Sequence, residues 1–191
     1  MTALTPPRAP RRPTTRTYHG QTLHDDFAWL KDPEWREVLR EPHKLDPAIR
    51  AYLEAENTYA AQLIDPLAGL VDTITAEMRG RIKENDSQVP KPLGPYAYRI
   101  LWREGGQHPN LARSARDGSD DRVIIDGDKL AEGHAFYDFG DWSLSPDQSL
   151  LAWSVDDKGS EFYTIRIRDL DTLQDRDETL IDTTGDSVWF K

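Results

Sequence analysis

Apolar and polar positions follow two different periods along this chain, and the change falls near residue 87. In the first stretch Ile49, Leu53, Ala60 and Ile64 recur at helical spacing, with Tyr52, Tyr59 and Leu63 widening the stripe. Leu67, Val71, Ile74, Met78 and Ile82 form a second stripe of the same period. Each stripe follows an Asp-Pro pair, Asp46-Pro47 and Asp65-Pro66, and a third pair, Asp32-Pro33, precedes "EWREVLR". An Asp side chain accepts hydrogen bonds from the free N–H groups at a helix start, and Pro is tolerated at the first helical position. Three helices are therefore predicted, the last ending near "KEND", where Asn85 and Asp86 supply stop and turn chemistry. Helices of this size depend on packing an apolar face. The two stripes can cover each other as a helical hairpin, and their breadth predicts that they cover something else as well.

After "VPKPLGP" the period shortens. "YAYRILWRE", "PNLARSAR", "RVIID", "SLLAWSV", "FYTIRIRDL" and "ETLID" are short runs rich in β-branched and aromatic residues, separated by turn signals. That spacing predicts antiparallel sheet. "SVDDKGSEFYTIRIRDLDT" reads as a hairpin turning at Asp157, Lys158 and Gly159. In its second strand Tyr163, Ile165 and Ile167 face one way, and Thr164, Arg166 and Arg168 the other. Laid side by side, the halves of this region repeat strand, turn, strand, turn, strand with a period of roughly 50 residues, which suits propeller blades. Two blades cannot close a ring, since propellers typically have about four to eight. The ending "GDSVWFK" reads as a strand just beginning, which predicts a chain cut short. The expected division is an arm and helical segment over 1–86 and the opening of a β-propeller over 87–191.

Composition narrows the function more than the fold. The 191 residues are 37% hydrophobic and 30% charged, the balance of a soluble globular chain. Without cysteine, disulfides, thiolate metal sites and a cysteine nucleophile are excluded. No apolar run approaches the ~20 residues of a membrane span, so no membrane partner is expected. The opening "MTALTPPRAPRRPTTRTYHGQTLH" has no apolar core for a signal peptide, and its prolines argue for an extended, polyproline-like arm. A cytoplasmic protein is the expectation. The net charge of −10 opposes a nucleic-acid partner.

Candidate chemistry is sparse. Ser187 in "GDSVWFK" follows Gly185, but Trp189 fills the second glycine position of a G-x-S-x-G nucleophile elbow. His19, His24, His43, His108 and His134 form no H-E-x-x-H or other paired helical spacing. "HDD" at His24, Asp25 and Asp26 has the elements of a metal site or triad fragment, yet adjacent side chains diverge, and it reads as a turn before "FAWL". "DGD" at Asp126 to Asp128 lacks the later residues of a calcium loop and reads as a hairpin turn. Glycine-rich phosphate loops are missing. The six tryptophans, among them Trp29, Trp35, Trp142 and Trp153, sit in apolar runs and read as core. No catalytic, cofactor-binding or metal-binding residue is assigned, and no cofactor is expected.

"HGQTLHDDFAWLKDPEW", "AYLEAENTYA", "EMRGRIKEND", "GPYAYR", "EGHAFYDFGDWSLSPD" and "LSPDQSLLAWSVDDKGSEFYTIRIRDLDT" together resemble the N-terminal part of the oligopeptidase B branch of the prolyl oligopeptidase family of serine peptidases. Each motif is weak alone, but their order and spacing span nearly the whole chain. The resemblance implies a seven-bladed propeller capping an α/β-hydrolase domain, with the arm and helices packed on that domain. This chain would hold the arm, the helices and about the first two blades. The implied enzyme hydrolyses peptide bonds after Arg or Lys in short peptides, with its Ser, Asp and His in the hydrolase domain. None of those residues has a counterpart here, so the chain alone is expected to be inactive. A free-standing helical and β-sheet interaction module is the alternative, and an uncharacterised hydrolase using His24 ranks last.

Overall fold

The computed structural model describes residues 4–190. The first three residues of the expected arm, and Lys191 at the end of the apolar run, lie outside the described residues. The chain divides between Arg81 and Ile82 into two compact units.

In the first unit, residues 4–13 have no regular structure, and β1 (Thr14–Tyr18) and β2 (Gln21–Asp25) form an antiparallel hairpin. The extended reading of the arm therefore gives way to a hairpin over its second half. The β-branched run Thr14, Thr15, Thr17 supplies strand propensity, and His19-Gly20 supplies a two-residue turn with φ of 48° and 75°. Arg12 lies over the Trp29 ring at 4.1 Å, and the Trp29 indole N–H donates to the Pro10 carbonyl at 2.9 Å. These contacts tie down the irregular segment.

Three helices follow: α1 (Trp35–Arg40), α2 (Pro47–Ile64) and α3 (Ala68–Arg79). Asp46 caps α2 by accepting from the N–H groups of Ala48 at 2.7 Å and Ile49 at 3.3 Å. Asp32 accepts from Glu34 N–H at 2.8 Å and from Asp46 N–H at 3.0 Å, so one carboxylate organises two helix starts. The Asp65-Pro66 pair does not cap. Asp65 is already helical, and 65–67 is a single 3-10 turn carrying α2 into α3. With helical backbone at Asp65 and at Ala68, the chain does not reverse there, and the helical hairpin does not form. Along α2 the covered side is Ile49, Tyr52, Glu56 and Tyr59, while Leu53, Ala60 and Ile64 stay exposed. The Tyr52 hydroxyl donates to Glu56, and its ring meets Trp29 edge-on at 6.4 Å.

The second unit contains two antiparallel sheets. The first is β3 (Asp86–Ser87) and β4 (Lys91–Leu93), both paired to β5 (Tyr96–Trp102), then β6 (Asn110–Ala115) and β7 (Arg122–Asp126). A short helix, α4 (Gly127–Leu130), leads on to the second sheet. That sheet is β8 (Asp138–Leu144), β9 (Leu150–Asp156), β10 (Tyr163–Asp169) and β11 (Asp175–Thr183), ordered β11-β10-β9-β8. The strands close no ring among the described residues. Strand β8 does not stand out in the sequence because Gly140 and Asp141 interrupt "DFGDWSL". A bulge between Phe139 and Trp142 absorbs both residues. A Cβ on Gly140 would lie 2.7 Å from the Tyr163 ring, so the bulge requires glycine.

One core joins the two sheets: Tyr98, Leu111, Ile124 and Ile125 from the first meet Leu151, Trp153 and Val155 from the second, with Tyr137 and Leu170. The register places Arg166 opposite Trp153, so the arginine-bearing face of β10 is turned toward this core. Ile165 is buried on the opposite face, opposite Ser154. Three polar clamps cross between the sheets. Arg168 forks onto Asp175 at 2.7 and 3.0 Å and donates to the Ile124 carbonyl at 2.8 Å. Gln148 accepts from the Tyr98 hydroxyl at 3.0 Å and donates to the Leu93 carbonyl at 3.2 Å. The Leu170 carbonyl accepts from Arg122 at 2.9 Å and from Arg113 at 3.4 Å. Arg113 is only 2% exposed, and the Tyr96 ring lies 4.2 Å from it in place of a carboxylate.

Breaking the first clamp leaves a half-buried carboxylate without its cation. Arg168→Ala should lower unfolding free energy by about 2–4 kcal/mol. Arg168→Lys should recover only part of the loss, because an ammonium cannot fork onto both oxygens. Urea melts of the three proteins check this, and equal stability of Arg168→Lys and the parent would refute it.

Candidate functional site

The residues singled out in the sequence do not converge. Ser187 Oγ shares a 2.6 Å hydrogen bond with Ser143 Oγ, which also accepts from the Trp189 indole N–H at 3.1 Å. A hydroxyl clasp without imidazole or carboxylate activates no nucleophile. His24 is exposed on β2, opposite Thr15. Its neighbour Asp25, the last residue of β2, accepts from Phe27 N–H at 2.8 Å, and Asp26 reaches Arg11 at 3.4 Å, so "HDD" is the end of a strand and turns only after Asp25. The "DGD" segment starts α4 rather than turning a hairpin. Asp126 caps that helix at Lys129 N–H, and Asp128 accepts from the N–H groups of Gln107 and His108 at 2.8 and 2.9 Å. Its glycine is fixed by space: a Cβ on Gly127 would meet the Pro109 carbonyl at 2.2 Å. Of the remaining histidines, His43 sits 3.6 Å from Glu41, His134 3.8 Å from Asp157, and His108 edge-on to Tyr137 at 5.1 Å. His19 occupies the β1–β2 turn. Among the described residues no group of three or more His, Asp or Glu side chains could hold a metal ion. Among the described residues no helix is long and apolar enough to cross a membrane.

Two features carry more physical content than those motifs. The first is an apolar surface on the helical unit. Every residue from 65 to 81 is exposed, among them Leu67, Leu70, Val71, Ile74 and Met78, while Ile82, the last residue of the predicted stripe, lies past α3 in the second unit. A row of this length on one helix face needs a partner surface. The second is the electrostatics of the sheet pair. In the turn before β9, Asp147 accepts from the Ser145 hydroxyl at 2.6 Å and from Ser149, which holds its carboxyl below the usual range. The Tyr163 hydroxyl donates to Asp138 at 2.6 Å, and that bond, more than burial, pushes its pKa up to about 12. Burial pushes Tyr137 up to about 12 as well, against the pull of Arg168 and Arg166. Periodicity does not reveal Tyr137 or Arg166 as partners. Their proximity depends on β8, β9 and β10 lying side by side in one sheet, and only the aromatic-rich "AFYDFGDW" hints at it.

Residues 7–191 match the family described as the prolyl oligopeptidase N-terminal β-propeller domain. The chain belongs to this family. Among curated proteins it is 30% identical over 206 residues to dipeptidyl aminopeptidase BI of Pseudoxanthomonas mexicana, covering 98% of this chain and 27% of that protein. It is 30% identical over 179 residues to protease 2 of Moraxella lacunata, covering 89% of this chain and 24% of that protein. Oligopeptidase B from Leishmania major superposes with a TM-score of 0.84 at 28% identity, over 98% of this chain and 28% of that one. A prolyl endopeptidase structure at 14% identity and TM-score 0.73 shares the fold alone. The chain thus spans about a quarter of the length of the relatives it matches. Residues 7–191 correspond to the N-terminal β-propeller domain of that family, and the full-length relatives extend well beyond it.

Both perturbed phenols fix the sign of an alkaline response. Their folded values near 12 exceed the ordinary 10, so the folded chain keeps two protons that the unfolded chain has released. Stability from these groups is full below pH 10 and falls as pH rises from 10 to 12. Denaturant melts across that window should show the decline, and Tyr163→Phe should flatten it. An unchanged slope in Tyr163→Phe would refute the assignment.

Proposed function

We propose that this chain is the N-terminal, non-catalytic portion of a serine oligopeptidase that hydrolyses peptide bonds after Arg or Lys in short peptides. The superposition on oligopeptidase B over 98% of the chain is the observation that carries the proposal. The sequence resemblance supplies the basic-residue preference. In this reading the two sheets are the first two blades of a seven-bladed propeller, and the exposed row from Leu67 to Met78 packs on an α/β-hydrolase domain. That domain supplies the Ser-Asp-His triad. Its serine attacks the scissile carbonyl, its histidine moves the proton, and an oxyanion hole stabilises the tetrahedral intermediate. The propeller restricts entry to short peptides. Ser187 takes no part, since its hydroxyl is bound to Ser143.

Reading the coding frame past Lys191 and assaying the encoded protein tests this directly. The expected result is a G-x-S-x-G elbow with downstream Asp and His, and hydrolysis of N-blocked Arg and Lys reporters. Cleavage of dipeptides from free N-termini without action on blocked reporters would overturn the specificity. A frame with no hydrolase domain would overturn the peptidase reading and favour a free-standing interaction module. The 191-residue chain alone should leave the blocked reporters intact.

The docking surface makes a separate prediction. Combined Val71→Ser and Ile74→Ser should shift unfolding free energy by no more than about 0.5 kcal/mol per site, as for exposed positions. The same pair should reduce self-association in sedimentation and binding of a hydrophobic dye. A large loss of stability would mean that these side chains are covered within the chain itself.

A further inference from the structure

A cavity of about 160 Å³ lies against the second sheet, beside the end of α4. Its polar lining comes from Tyr137, just before β8, from His134 and Asp157 in loops, and from Arg166 and Asp175 on β10 and β11, with Trp153 as an apolar wall. Tyr137 is only 9% exposed, and its hydroxyl is buried with no hydrogen-bond partner. Native proteins leave few such groups unpaired, and each one asks for an explanation. Arg166 is half-buried in the same lining, and among the described residues its guanidinium has no carboxylate, carbonyl or ring partner. Both groups line this one cavity, Tyr137 just before β8 and Arg166 on β10.

Of the two acids around the cavity, Asp175 already has donors: it accepts from Arg168 at 2.7 and 3.0 Å and from the Trp153 indole N–H at 3.1 Å. Asp157 is exposed and lies 3.8 Å from His134, beyond hydrogen-bond reach, so water solvates it. The donors in the lining without an acceptor are one phenolic O–H and one guanidinium fork, one of them charged. That set complements a carboxylate, whose oxygens accept several bonds at once. A single water would satisfy the phenol but leave the guanidinium charge uncompensated. A doubly charged oxyanion meets stronger repulsion from Asp157 and Asp175 than a singly charged one.

We propose that this cavity binds a small monocarboxylate through the Tyr137 hydroxyl and the Arg166 guanidinium. The carboxylate is either a free acid or the C-terminus of a short peptide whose remainder leaves past His134 and Asp157, both of which are exposed. The site is complete within this chain, so it stands independently of the peptidase reading.

The test is a titration of the 191-residue chain with sodium acetate at constant ionic strength, followed by NMR shifts and thermal melting. Parallel titrations use N-acetyl-alanyl-alanine and its C-terminal amide. The expected result is saturable binding of acetate or the peptide acid with Kd on the order of 1–10 mM, and no binding of the amide. Peptide acid binding at least as tightly as acetate identifies a peptide C-terminus as the source, and acetate alone identifies a free acid. Tyr137→Phe and Arg166→Gln should each weaken binding tenfold or more, with Arg166→Lys intermediate. Tyr137→Phe keeps the ring, so it should melt no lower than the parent in carboxylate-free buffer. If an Arg166 variant fails to fold, Tyr137→Phe decides alone. A response that does not saturate, binding of the amide equal to the acid, or affinity unchanged in Tyr137→Phe would overturn the proposal. So would a lower melting temperature of Tyr137→Phe without carboxylate, because that would reveal a protein partner for the hydroxyl.

Discussion

Arg168 is the interaction on which the sheet pair depends. Its guanidinium reaches three kinds of partner at once: both oxygens of Asp175, the Ile124 carbonyl of the other sheet, and the face of Trp153 at 5.4 Å. An interface of Leu151, Trp153 and Val155 against Leu111, Ile124 and Ile125 would be cohesive by burial alone. Burial is non-directional, however, and two twisted sheets can slide on an apolar face. Arginine bonds to main-chain carbonyls fix the register, because a carbonyl occupies one place on its strand. Leu170, held by Arg122 and Arg113, and Leu93, held by Gln148, act in the same way. Stacked sheets that repeat need such register marks at every interface.

The cost of this arrangement is visible in the same place. The Nε atoms of Arg113 and Arg122, the Nδ2 of Asn110 and the Tyr137 hydroxyl are buried without partners. Each costs desolvation without a compensating bond. Three of these side chains, Asn110, Arg113 and Arg122, belong to the first sheet, whose β6 and β7 supply the polar contacts to Leu170. Their unpaired atoms accompany bonds made elsewhere by the same side chains, as when Arg113 bonds through its terminal nitrogens and leaves Nε free. Tyr137 differs, since its hydroxyl is its only polar group and makes no bond at all.

Local chemistry is legible in the sequence wherever one residue decides the outcome. Asp46 caps α2 as its Asp-Pro pair predicts, and Asp156, beside the predicted turn, accepts from the N–H groups of Lys158, Gly159 and Glu161. The antiparallel runs emerge as β5, β6, β7, β9, β10 and β11, repeating after about 50 residues. The hairpin of β1 and β2 is hidden by the prolines that precede it, and β8 by Gly140 and Asp141. Of the tryptophans read as core, Trp153 is fully buried, whereas Trp35 is 40% exposed. Alternation in β10 separates Ile165 from Arg166 correctly, yet the arginine face meets the shared core. Hydropathy assigns arginine to solvent, because it does not record that a long side chain can bury its stem and spend its donors on carbonyls across an interface.

The same limit explains why the cavity beside Tyr137 leaves no trace in the sequence while the helical surface does. Breadth of an apolar stripe is a property of one segment, so hydropathy alone marks the row from Leu67 to Met78 as a face in need of cover. An unpaired hydroxyl is a property of a meeting between segments. Tyr137 and Arg166 lie far apart in sequence, and neither sits in a motif. Their relation arises because β8 follows α4 into one sheet while β10 turns its polar face inward from the next hairpin. Function carried by such meetings follows from topology, here from the order that sets β8, β9 and β10 side by side with α4 at their edge. Strand order, which hydropathy does not record, therefore decides where such a site forms.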